Sequence, residues 1–539
     1  MTATNEKADI QHVDHFDATA DDWTEKEKQD LYNGRIDPET AKYLDPTLVI
    51  DDDLNEQIKK IGSYRDQVDW RILPFLLLIY FCQTFDKATL AFSSIMGLQA
   101  DTNLQGQQYS TLVTILYAGY LIGEVPVNRV IQKVPLGKFL GILVIIWGTI
   151  VCMHAVCKNF GGLMAVRFLL GFFESGVQPA LMTLTTASRI THLSSPDRTC
   201  TYALHCRCTT DAMSTLRSSH TGTLCVSGLI AFGLTYVNSP TIYTWQALFI
   251  IVGGFTVVVG VLTLIFLPDS PMKAKCWTDK QKTMIIERLR INEQGVQDSR
   301  WKWEQMWEAF QDPAVWCYWV MQIAGFIIVN GLAVFANIIV KGLGFTVRQT
   351  QLLNLAQGGF SLIIYFGTAW VARLTNQTCL VLAGTMAIAL AGTVVLLTVP
   401  VSPKTAPGLL LTFYFANFVI AAGSLLYSIV TRNIAGQTKK TCVTAMLFVT
   451  YGAGCIIGPQ VFRAKDAPRY KFAFAVHIGL YALFIVMTFI LRIIFMRRNH
   501  VRRRDHEGTE QPGAEHIDHD QAFADLTDLQ NKRAFRYVY

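Results

Sequence analysis

Residues Gly161 to Thr186 read GGLMAVRFLLGFFESGVQPALMTLTT, with two charges, Arg167 and Glu174, in an otherwise uncharged run. A helix rises about 1.5 Å per residue, so this stretch can cross a hydrocarbon core of about 30 Å. Its length and composition read as a membrane-spanning helix. Glu174 follows Arg167 by two turns and Gln178 follows by one more, so the three share a face.

The same reading extends across the chain. Of 539 residues, 51% are hydrophobic and only 16% charged, and mean hydropathy is +0.29. Soluble domains carry about 25% charged residues. Spans are expected at Ile72 to Phe92, Ser110 to Val127, Leu140 to Cys157, Gly161 to Thr186, Ser218 to Val237 and Trp245 to Leu267. After a long polar stretch a second set follows: Ala314 to Ile339, Gln351 to Val371, Cys379 to Val399, Gly408 to Val430, Cys442 to Phe462 and Phe472 to Phe495. The fold class is therefore an all-α membrane protein with 12 transmembrane helices in two six-helix halves. A nucleic-acid partner, a secreted disulfide scaffold and a cytosolic enzyme are set aside. The sequence has no ATP-binding loop, paired zinc motif or nucleophile elbow, so neither enzymatic activity nor a cofactor is expected.

Residues 1–69 hold 18 acidic against 8 basic side chains and read as an acidic disordered cytoplasmic tail. The N-terminal half is 70–267, a cytoplasmic loop 268–313, the C-terminal half 314–496 and a second cytoplasmic tail 497–539. The loop holds two amphipathic pieces, Asp279 to Asn292 and Arg300 to Gln311, expected to lie on the inner membrane surface. With both termini inside, Arg129, Lys133, Lys138, eight basic residues between Pro268 and Pro313, Arg373, Arg432, Lys439, Lys440 and the Arg497 to Arg504 cluster fall on the cytoplasmic side. Arg463, Lys465, Arg469 and Lys471 break the rule and fall outside. Cys82, Cys152, Cys317, Cys379 and Cys442 lie singly in or beside apolar blocks and read as buried thiols.

Ionisable groups at membrane depth cost roughly 2.5 to 3.5 kcal/mol each, so they are functional candidates. They are Asp86 and Lys87 in span one, Glu124 in span two, and Arg167 and Glu174 in span four. Counting rises places Asp86 and Arg167 each about 9 Å from the outer face, so an ion pair between them is expected. Glu174 is suited to take up and release a proton. Arg167 and Lys87 are suited to meet an anionic substrate, the Arg bidentately. Gln178, Asn330 and Asn337 are further substrate-contact candidates, although polar residues in membrane helices often serve as interhelical glue. Glu124 is expected to gate or pack near the inner end of span two.

Several stretches resemble a known family. Six plus six spans about a polar middle is similar to the major facilitator superfamily, whose halves rock about a midplane site. Particular motifs resemble its anion:cation symporter branch, the fungal allantoate permease-like transporters. They are Phe85-Asp86-Lys87; Gly123-Glu124-Val125-Pro126 with Asn128; Arg167 to Gly176 with Pro179; Leu267-Pro268-Asp269-Ser270-Pro271; Asn433 to Lys440; and Gly454-Cys455-Ile456-Ile457-Gly458-Pro459-Gln460. The tail adds Asp525-Leu526-Thr527-Asp528, Asn531 and Phe535-Arg536-Tyr537.

The resemblance implies proton-coupled import of a small organic anion such as a ureido acid, a vitamin or another carboxylate. It implies proton coupling at Asp86 and Glu174 and anion contact at Arg167, while Glu124 and Asn128 are read as gating residues. The expected setting is the fungal plasma membrane, with the chain a multi-pass monomer and its partners the anion, the proton and the lipid bilayer. The same fold permits an exporter of a fungal metabolite, and a transporter-like nutrient sensor is a third reading.

Two departures stand out. Cys455 occupies a position where the family usually has Asn. Residues 186–225 lose the family pattern, which returns at Ser227-Gly228-Leu229-Ile230. Cys200, His205, Cys206 and Cys208 in that stretch have the types of metal ligands. The reading adopted is that a frame error or retained intron replaced coding sequence there, and no metal is expected.

Overall fold

The computed structural model describes residues 52–131, 134–181, 222–223, 225–236, 242–267, 301–507, 527–531 and 535–539, with side chains from Pro74 onward. All the regular structure described is helical. The first half runs α1 (Asp52–Ile95), α2 (Gln108–Ile131), α3 (Leu136–Met153), α4 (Phe160–Glu174), α5 (Cys225–Leu234) and α6 (Thr244–Phe266). A linker helix α7 (Trp303–Gln311) precedes α8 (Pro313–Gly342), α9 (Val347–Thr375), α10 (Thr378–Thr398), α11 (Ala406–Ala416), α12 (Val419–Asn433), α13 (Gln437–Val461) and α14 (Lys471–Glu507).

Eleven of the described spans are long and apolar enough to cross a membrane, α11 and α12 together making one, Ala406–Asn433. The place of the fifth span is held by the shorter apolar helix α5. Most of 186–225, the metal-ligand types in it, and Asp279 to Asn292 lie outside the described residues. The helix carrying the first span begins at Asp52, within the stretch read as acidic tail, and α14 continues past the apolar block to Glu507.

Glycines set the closest helix contacts, as expected where helices pack without a hydrophobic difference between lipid and neighbour. A Cβ at Gly171 of α4 would collide with the Leu116 carbonyl of α2. Gly119 and Gly123 of α2 face Phe168 and Phe172 of α4 in the same way. In the other half, a Cβ at Gly458 of α13 would lie 2.6 Å from the Ile327 carbonyl of α8. Both seams are backbone against backbone, which leaves no room for a side chain.

The halves meet at the end of the bundle where α1 leads into α2. Thr114 of α2 donates to the Ile456 carbonyl at 3.2 Å and accepts from Gln460 Nε2 at 2.9 Å. Gln107 donates to the Gln460 carbonyl at 3.5 Å and accepts from the Ala464 amide at 3.1 Å. Tyr109 donates to the Val334 carbonyl at 3.3 Å. These bonds shut that end.

At the opposite end the C-terminal segment packs back onto the second half. Lys439, fully buried, holds Glu308 at 3.0 Å, Asp312 at 3.1 Å and Asp528 at 2.7 Å. Arg498 pairs with Asp312 at 2.6 Å, and Arg502 donates to the Asp528 and Phe535 carbonyls. Asn433 bonds the main chain of Val538 in both directions. Burial alone would raise the Asp312 carboxyl, but its bond to Arg498 and the charges of Lys439 and Arg498 hold it below the usual carboxylate range. The tail motif and the Asn433 to Lys440 motif, far apart in sequence, thus form one charged clamp with α7. Along α7, Gln305 and Ala309 are buried while Trp303 and Trp307 are exposed, the split expected of an interfacial helix.

Candidate functional site

The first half gathers its charges between α1 and α4. Arg167 lies seven residues inside α4, about 10 Å from its start, and Asp86 lies nine from the end of α1, about 14 Å from the same side. The expected pair between them does not form. Asp86 instead accepts a hydrogen bond from Trp147 Nε1 of α3 at 3.0 Å, leaving Oδ1 without a partner among the described residues. The salt bridge in the site joins Lys87 to Glu174 at 3.0 Å. The reason is reach: Lys87 is one residue beyond Asp86 on α1, and its long stem crosses to the carboxylate two turns beyond Arg167 on α4.

Glu174 is fully buried, and its Oε1 also accepts from Gln83 Nε2 at 3.2 Å, while Oε2 has no partner. Lys87 remains 30% exposed and sits 5.8 Å from the centre of the Tyr120 ring. One end of this ion pair is therefore sealed and the other faces open space.

Arg167 is 2% exposed, and among the described residues neither Nε nor Nη2 has a hydrogen-bond partner. Its guanidinium lies 5.9 Å from the centre of the Phe249 ring, against which His154 stacks at 4.9 Å. The Asp86 carboxylate exerts the largest attraction on it without forming a salt bridge. Isolated burial of a cation is costly, so such a group is held where an anion can reach it.

Of the remaining candidates, Asn330 borders this cluster, since its partners Tyr117 and Cys455 lie within electrostatic reach of Glu174 and Lys87. Asn330 of α8 accepts from Tyr117 of α2 at 3.3 Å and donates to the Cys455 carbonyl at 2.7 Å, stitching three helices. Asn337 accepts from Asn354 of α9 at 2.8 Å. Both occupy interhelical hydrogen bonds. Gln178 is half-buried four residues beyond the end of α4, past a turn at 175–176. Glu124 accepts from Asn128 at 2.9 Å within α2, with Oε2 unpartnered. Among the described residues no group of three or more His, Cys, Asp or Glu side chains is placed to hold a metal.

Sequence reasoning passed over Gln83, Trp147, Tyr120 and Phe249. Gln83 had a signal, since it precedes Lys87 by one turn and extends the polar face of α1. Trp147 had one too: tryptophans favour membrane interfaces, and this one lies in the middle of a span.

Comparison with known proteins agrees with this architecture. The Major Facilitator Superfamily profile matches residues 76–188 and 211–459, most of the chain, and leaves 189–210 unmatched. The chain belongs to the major facilitator superfamily. An uncharacterized transporter of Schizosaccharomyces pombe is 30% identical over 501 residues, 92% of this chain and 91% of that protein. The thiamine pathway transporter THI73 of Saccharomyces cerevisiae is 30% identical over 88% of this chain and 86% of its own. The allantoate permease of the same yeast is 27% identical over the same shares. A bacterial homologue of the human lysosomal transporter Spinster, solved inward-facing and occupied, shares the fold with a TM-score of 0.58 at 13% identity, covering 79% of this chain and 97% of that one. This superfamily member is thus a multi-pass membrane transporter of small substrates and not an enzyme.

Proposed function

We propose that the chain imports a small organic anion together with protons across the fungal plasma membrane, with both termini cytoplasmic. The observation carrying this reading is Arg167, a buried guanidinium with two unpartnered nitrogens beside an aromatic wall. A carboxylate docking there gains charge-assisted, bidentate bonds that the protein itself does not supply. Its arrival also competes with Asp86 for the same positive charge.

Glu174 is the coupling group in this scheme. While ionised it holds Lys87; on protonation it releases Lys87, whose exposed ammonium then adds a second cation to the anion's path. Proton binding and anion binding favour each other through Lys87, which is the linkage a symporter needs. Asp86 serves as a second proton site poised by Trp147. The shut end becomes the outer face, and Glu124 with Asn128 stands toward the cytoplasmic opening. The kinship with allantoate permease supports a carboxylate-bearing substrate.

The test is uptake of a panel of labelled carboxylates, allantoate included, into cells expressing the chain, at acidic and at neutral external pH, with and without a proton uncoupler. Acid-stimulated, uncoupler-sensitive uptake is expected. Uptake indifferent to both would reject proton coupling, and no uptake of any carboxylate would reject the anion.

A further inference from the structure

The four cations that break the charge rule, Arg463, Lys465, Arg469 and Lys471, have a structural setting. The segment RAKDAPRYK at 463–471 carries one carboxylate, Asp466, against them. It passes over the mouth of a cavity of about 350 Å³ at the shut end of the bundle. Tyr109, Phe335, Phe462 and Tyr470 form its buried floor, Ser94 and Gln107 its polar wall, and Lys341 of α8 stands exposed at its rim.

Of the charged groups Lys341 lines the cavity itself, while the 463–471 segment contributes Ala464, Ala467 and Tyr470 to the lining and carries its cations beside them. Among the described residues Lys341, Lys465 and Lys471 make no salt bridge, Arg463 stacks on Phe472, and Arg469 donates to the Val399 carbonyl. Asp101, the nearby acidic group on the α1–α2 turn, is engaged by Trp245 Nε1 at 2.8 Å. Asp466 keeps a buried carboxylate oxygen without a partner among the described residues, so Lys341 and the four cations of the segment face two carboxylates, and a net excess of one sign of charge concentrates counter-ions by roughly ten- to a thousand-fold. Gln107, which lines the wall, is also one of the side chains that join the halves at this end, through Gln460 and Ala464.

We propose that this cavity is a capture site for small carboxylate-bearing anions, drawn in by Lys341 and the 463–471 segment before the path to Arg167 opens. The proposal rests on the anion-import reading and gives that reading an entry point. An anion seated there lies against Gln107, whose Nε2 keeps one N–H beyond its bond to the Gln460 carbonyl, so occupancy and opening share one side chain.

The test places a cysteine in the wall, Ser94→Cys, and compares its modification in intact cells by a sulfonate-bearing and a trimethylammonium-bearing methanethiosulfonate, neither of which crosses membranes. The parent chain supplies the background. The anionic reagent is expected to react faster, relative to its rate with a free thiol, than the cationic one. Combining Lys341→Gln, Lys465→Gln and Lys471→Gln should reduce that preference at least about fivefold, as should high salt, while the three Lys→Arg changes retain it. In carboxylate uptake the triple Gln variant should raise KM and leave the maximal rate unchanged. A preference that survives the Gln changes, or no modification of Ser94→Cys or of Gln99→Cys, overturns the capture site. Uptake without charge preference removes the capture site alone; charge preference without carboxylate uptake removes the import reading and leaves an anion site.

Discussion

Lys87 and Glu174 bridge the first and fourth membrane helices at 3.0 Å, with the carboxylate fully buried and the ammonium still 30% exposed. The asymmetry makes the pair breakable from one side only. Neutralising Glu174 leaves a cation that can turn toward open space, whereas removing Lys87 strands a carboxylate with Gln83 as its remaining donor.

Lys87→Met should therefore harm folding more than Glu174→Gln. Breaking a buried pair by deleting one partner costs roughly 3–5 kcal/mol, and removing both partners costs less than the sum. Thermal unfolding of the purified single and double variants in detergent measures the coupling. Additive single and double effects would show that the bridge does not hold the two helices together.

Glu174→Gln should keep substrate exchange and lose concentrative uptake, since binding survives while the proton-bearing group is gone. Counterflow and net uptake, measured side by side in vesicles, separate the two. Equal loss of both would remove Glu174 from the coupling step.

Arg167→Gln should reduce carboxylate uptake by roughly ten- to a hundred-fold, the worth of a charge-assisted hydrogen bond of about 1.5–3 kcal/mol. Arg167→Lys should recover only part, because an ammonium lacks the bidentate fork. Surface abundance is the control, and undiminished uptake by Arg167→Gln would place the anion elsewhere.

The spans were legible because membrane helices announce themselves by length: the end of span one, the start of span six and both ends of span nine fall within a few residues of the helices found. The charges of the site were legible one by one, since each stands out against apolar neighbours. Their pairing was not. Counting rises fixes the depth of a Cα, and Asp86 and Arg167 do lie at similar depth, but a lysine stem of several ångströms decides the partner. Trp147 claimed Asp86 from a third helix, and no spacing within one span reveals a donor on another. Likewise Asn330 and Asn337 looked like one polar face of α8, yet their partners lie on α2, α13 and α9, so each serves a separate interhelical bond.

Asp312 gives the tail clamp a pH limit. Its folded value lies below the ordinary carboxylate range, so its contribution is complete above that range and is lost as pH falls through the folded value. Protection of the Val538 amide, bonded to Asn433, should persist at about pH 5 and fade at lower pH, where carboxylates gain protons. Hydrogen exchange reads it directly. Asp312→Asn should weaken protection even at neutral pH; unchanged protection would detach Asp312 from the clamp.

Gly171→Ala should separate α2 from α4 and destabilise the first half by about 1–3 kcal/mol, as overpacking does, with a lower unfolding temperature as the readout. Unchanged stability would mean that the seam can give.

That seam has a mechanical corollary. Where Gly119, Gly123 and Gly171 let two main chains touch, the rods cannot slide or roll past each other without steric collision. Arg167 and Glu174 therefore travel with the second helix as cargo on a single stiff beam. Whatever tilts that beam moves both charges through space in concert, so the stroke of the machine is set by how far the welded pair swings, and the hinges must be sought at its loops.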